Sequence, residues 1–79
     1  MAMFDENHPR QIQIAGRNVR CDSTEDRAML MQAKSVEINP AFAATLTIGR
    51  LHMIKDACQK YSLGKHQRLV RLAIERYER

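Results

Sequence analysis

Gln11-Ile12-Gln13-Ile14-Ala15-Gly16-Arg17-Asn18-Val19-Arg20-Cys21 alternates apolar with polar residues on either side of a glycine, the period-two pattern of two strands joined by a tight turn. A two-residue loop at Gly16-Arg17, with glycine first as a type II′ turn requires, sets Ile14 opposite Val19 and Ile12 opposite Cys21. All four side chains then share one face. A lone two-stranded hairpin is marginal in water, so that face has to pack on helices or on a second chain.

Downstream of the hairpin, Asp22-Ser23-Thr24-Glu25-Asp26 supplies capping and acidic first-turn residues, which predicts a helix from Thr24 to about Val36. At 100° per residue Met29, Leu30, Ala33 and Val36 form its apolar stripe, while Ala28 and Met31 fall outside it, leaving room for a small interface on each side. Asn39-Pro40 pairs a capping residue with a first-turn proline and predicts a second helix reaching about Leu63, with Gly64 in the left-handed position after it. Leu69, Val70, Leu72, Ala73, Ile74 and Tyr77 line a third helix from Lys65 to about Glu78. The expected fold is α+β, an N-terminal hairpin followed by three helices in one small domain over 10–79. Residues 1–9 show no period and are expected to form a flexible arm.

The chain has 79 residues, enough for one hydrophobic core and short enough that an oligomeric partner is a natural source of extra stability. With 44% apolar and 28% charged residues it reads as globular, and with no Trp its core is aliphatic, supplemented by five adaptable methionines. The opening Met-Ala-Met-Phe-Asp-Glu is not expected to be a signal peptide, and no apolar run has the length of a transmembrane segment. A cytoplasmic location is expected, with Cys21 and Cys58 reduced.

Two positions depart from simple amphipathicity. Projection of the second helix puts Ala43, Leu46, Ile54, Ala57 and Tyr61 on one face and Phe42, Leu51, Met53 and Cys58 at its flanks, with Arg50 in the middle of the apolar side. A buried guanidinium needs a counter-charge, for which Glu37 or Asp26 are the intrachain candidates, or else it anchors a protein interface. Ile48 projects onto the polar side near His52, Lys55 and Gln59. Ile48, Arg50 and Leu51 are therefore the candidate partner-binding residues, for self-association to a homo-oligomer or for binding another protein.

Charge is divided along the chain. Residues 1–49 carry five Lys/Arg against six Asp/Glu, and residues 50–79 carry eight against three. A long helix, a glycine-containing turn and a helix opening Lys65-His66-Gln67-Arg68 superficially match a helix-turn-helix, with Lys65, His66, Gln67, Arg68 and Arg71 as candidate nucleic-acid contacts. The preceding helix is long for that unit, and Glu75 and Glu78 repel phosphate. Peripheral attachment of the basic third helix to an anionic membrane is a weaker reading, since its apolar arc lacks Trp or Phe.

Catalytic and metal-binding patterns are missing from the sequence. Gly64-Lys65 lacks the remainder of a phosphate-binding loop, the three histidines lie far apart, and neither cysteine has a neighbour at zinc-ligand spacing. His52 and Asp56 sit one turn apart, but Cys58 points to the opposite side of the helix. Neither a metal nor a cofactor is expected, and the chain reads as non-catalytic.

The hairpin segment Ile12–Arg17, Val19-Arg20-Cys21 and the acidic lead into Arg27-Ala28-Met29-Leu30 resemble the start of the ZapA family of division-ring-associated proteins. The resemblance implies a hairpin-plus-helix unit serving assembly. It covers about 25 residues. Beyond them Asn39-Pro40 interrupts the helices and no sustained heptad repeat follows, so membership is not assigned. The sequence reading is therefore a small regulatory or assembly protein that self-associates and binds another protein, with nucleic-acid binding as the alternative.

Overall fold

Two strands and three α-helices follow one another in the computed structural model, which describes residues 8–78. Most of the expected arm, residues 1–7, lies outside the described residues. His8 begins a turn into the first strand, its carbonyl accepting from Gln11 N–H at 3.2 Å.

Strands β1 (Gln11–Ile14) and β2 (Arg17–Arg20) form an antiparallel hairpin with Ile12 opposite Val19 and Ile14 opposite Arg17. The turn residues are Ala15 and Gly16, at φ 55° and 69°. Positive φ at both central positions is a type I′ turn, which replaces the type II′ turn expected at Gly16-Arg17. The register therefore moves by two residues. Because side chains alternate with period two, that shift keeps every residue on its expected face: Ile12, Ile14, Val19 and Cys21 are all buried.

Helix α1 (Thr24–Ile38) starts at Ser23, whose side chain accepts from Asp26 N–H. Its buried residues are Met29, Leu30, Ala33 and Val36, the predicted stripe. The helix stops at Asn39 in an extended conformation, as the clash of a following proline with helical geometry demands.

The single long second helix expected from Asn39 to Leu63 is instead two elements. A 3-10 helix spans Pro40–Thr45, Leu46 is extended, and helix α2 covers Ile48–Lys60. Thr47 causes the restart, its hydroxyl accepting from Arg50 N–H and satisfying one of the open first-turn donors. Leu51, Ile54, Ala57 and Cys58 form the buried face of α2.

Gly64 does not terminate α2. Ser62 holds the left-handed position at φ 60°, and Leu63 N–H donates to Cys58 O (2.8 Å) while Ser62 N–H donates to Gln59 O (3.1 Å). This pair of bonds is a Schellman motif. Gly64 is the first residue of helix α3 (Gly64–Tyr77), which buries His66, Val70 and Ile74. The result is one α+β domain in which the hairpin face and three helices enclose a shared aliphatic core. Each fully buried Leu, Ile or Val in it contributes roughly 1.5–3 kcal/mol of burial free energy.

Candidate interaction surfaces

The break at Leu46-Thr47 decides where the anomalous second-helix residues end up. Ile48 is half-buried and packs against the core from the first turn of α2. Leu51 is 1% exposed, so this candidate contact is an interior residue of the monomer. Arg50 is half-buried at the edge of the packed face, with Nη1 3.9 Å from Met29 Sδ. Its expected partners are engaged elsewhere: Asp26 pairs with Lys60 at 2.8 Å and Glu37 with Lys65 at 2.9 Å. Arg50 thus lies where its stem covers the core and its head can remain hydrated.

The five candidate nucleic-acid contacts on α3 are also divided by burial. His66 is 1% exposed and turned inward, with Nε2 3.3 Å from Glu37 Oε1. That distance is within Coulombic reach, but the geometry is not a hydrogen bond, and Nδ1 has no hydrogen-bond partner among the described residues. Lys65 is tied to the same Glu37 carboxylate, and its hydrogen bond is the main cause that holds this group below its usual titration range. Gln67 is half-buried, and Arg68 and Arg71 are exposed. Of these five, Arg68 and Arg71 present positive charge outward with no ion-pair partner among the described residues.

At the opposite end of α1 a second polar cluster fastens the hairpin, α1 and α2. Tyr61 Oη donates to Asp26 Oδ2 (2.6 Å) and accepts from Asp22 N–H (2.7 Å), and Lys60 bridges Asp26 and Asp22. Asp26 is lowered below the ordinary carboxylate range, chiefly by the Lys60 hydrogen bond and then by that of Tyr61. Arg17, opposite Ile14 on the core-facing side of the hairpin, donates to the carbonyls of Tyr61 (3.2 Å) and Ser62 (3.3 Å). It thereby satisfies C-terminal carbonyls of α2 from a site 44 and 45 residues earlier in sequence.

Cys58 is fully buried, and burial pushes its thiol up to about 11, the reverse of an activated nucleophile. His52 is exposed on the other side of α2. The helix therefore separates the two groups, as its projection predicts. Among the described residues no three His, Cys, Asp or Glu side chains come together as a metal site, and no helix is long and apolar enough to cross a membrane.

A surface that the sequence reading missed lies between the 3-10 helix and the last turns of α3. Pro40, Ala41, Ala43 and Ala44 on one side and Ala73, Arg76 and Tyr77 on the other line a groove of about 360 Å³. Small side chains keep it open, and Tyr77 is 52% exposed along it. The signal was the run Pro40-Ala-Phe-Ala-Ala, which a continuous α-helix would have distributed around its circumference. No family model matches the chain, and neither the curated proteins nor the solved structures yield a match.

Proposed function

We propose that this chain is a small non-catalytic interaction module of the cytoplasm, which self-associates and docks a second protein in the groove between the 3-10 helix and α3. The groove carries the reading. Its lining of four alanines and a proline suits an apolar side chain, beside which Tyr77 offers an aromatic surface and Arg76 a positive charge. With residues 50–79 carrying eight basic against three acidic side chains, the fitting partner is an acidic segment with an apolar anchor. Regulation or assembly of that partner is the functional class such a surface serves.

The test compares the protein with its Ala44→Trp and Tyr77→Ala variants, each purified from the source cell at moderate salt. A stoichiometric protein companion on the parent, reduced at least tenfold on both variants, is the expected result. Nucleic acid on all three, stripped by salt and lost on combining Arg68→Ala with Arg71→Ala, would replace this reading with the nucleic-acid alternative.

A further inference from the structure

The groove beside α3 suits an apolar anchor joined to acidic residues, and the chain itself carries such a segment. Met1-Ala2-Met3-Phe4-Asp5-Glu6-Asn7, which lies outside the described residues, sets Met1, Met3 and Phe4 ahead of two carboxylates and has no basic side chain. The groove offers the complement. Pro40, Ala41, Ala43, Ala44 and Ala73 surround about 360 Å³ of space with apolar surface, and the half-exposed ring of Tyr77 stands beside it, open to an edge-to-face contact with an aromatic anchor. Phe4 is the one aromatic residue of the segment. Asp5 and Glu6 follow it directly, and Arg76 on the groove has no ion-pair partner among the described residues, so a charge-assisted contact is open to it.

Reach decides which groove the segment fills. It joins the described chain at His8, next to strand β1, which packs on the N-terminal part of α1, where Gln11 O accepts from Arg27 Nε at 2.7 Å. The groove opens at Pro40, past the other end of α1, and a helix rising 1.5 Å per residue puts that position roughly 20 Å beyond Arg27. From His8 back to Phe4 an extended chain spans at most about 14 Å. The anchor therefore falls short of its own groove. We infer that the groove is filled by Met3-Phe4-Asp5-Glu6 of a second copy, two chains exchanging their N-terminal segments. Exchange in both directions closes a twofold dimer. This inference rests on the self-association and the groove of the proposed function and names what joins them. It also makes the two exclusive, because a second protein enters the groove only by displacing the segment, and its binding drives the dimer apart.

The test is sedimentation equilibrium of the full chain and of Phe4→Ala, with circular dichroism to verify that the variant retains the helical fold. It is paired with mild oxidation of a double variant, Met3→Cys with Ala44→Cys. The native cysteines, Cys21 and Cys58, are both buried, so a new disulfide reports the segment meeting the groove. A parent dimer, a mass halved in Phe4→Ala and a disulfide joining two chains together support the inference. A folded Phe4→Ala that remains a dimer overturns the segment as the contact and leaves self-association standing. A disulfide closed within one chain overturns the exchange, and no disulfide at all overturns the groove as the seat of the segment. A parent that is monomeric at every concentration overturns the inference together with self-association, and leaves the groove to the companion protein.

Discussion

At the N-terminal end of α1, Asp26 receives Lys60 and the Tyr61 hydroxyl, and that hydroxyl in turn accepts from Asp22 N–H. At the C-terminal end, Glu37 receives Lys65, while beside it His66 is buried with Nδ1 unpaired among the described residues. Both junctions hold α1 against a later helix with a carboxylate and a lysine. In the first every named donor meets an acceptor at the edge of the core, where water can reach the remaining lone pairs. The second takes an imidazole inside without satisfying it, and an unmet buried polar group costs roughly 1–3 kcal/mol. Similar side chains therefore secure one end of the helix and leave a liability at the other.

The largest effect that separates the two junctions is expected from Tyr61→Phe. Removing the hydroxyl deletes two hydrogen bonds, one of them to a carboxylate, and is expected to cost about 2 kcal/mol. Glu37→Gln, which weakens an ion pair whose carboxylate is about one-third exposed, is expected to cost under about 1 kcal/mol. Urea denaturation of both variants compares them directly, and equal losses would abolish the distinction.

Next in size, His66→Leu is expected to stabilise the fold by about 1 kcal/mol, because a side chain of similar volume replaces an unsatisfied one. A lower melting temperature for this variant would show that the contact with Glu37 outweighs the unpaired nitrogen.

The smallest effect is in pH dependence. Asp26 and Glu37 both titrate below their ordinary values when folded, so the unfolded chain binds more protons than the folded one in mild acid. Their contribution is present above roughly pH 4 and is lost as pH falls through the folded values. Asp26→Asn is expected to flatten the acid limb of a stability-against-pH curve more than Glu37→Gln. Parallel curves for the two variants would assign the acid sensitivity to other carboxylates.

Periodicity made most of the core legible. Ile12, Ile14, Val19 and Cys21 could be assigned to one face without the correct register, because a two-residue slip preserves sidedness. The stripe Met29, Leu30, Ala33 and Val36 followed from helical spacing alone. The turns were harder, since each offers a glycine that fits more than one role. Gly16 occupies the second turn position because Ala15 adopts a positive φ that alanine disfavours, and Ser62 takes the left-handed place that Gly64 suits better.

Proline signalled the start of an element at Pro40 but not its type. Thr47 then capped a new helix seven residues after that proline. That restart concealed the groove, and it also placed Ile48 and Leu51 against the core, where the sequence had suggested an outward contact. The carboxylates proposed for Arg50 were legible as candidates, but their choice of Lys60 and Lys65 depends on which helix ends meet, which no local pattern contains.

Arg17 gives the chain an order of events during synthesis. The hairpin leaves the ribosome before α1 and α2, yet the carbonyls its arginine holds belong to Tyr61 and Ser62. Two strands alone are marginal in water, so the hairpin stays open until α2 has emerged. Its amide protons should therefore be the last to gain protection as the nascent protein folds.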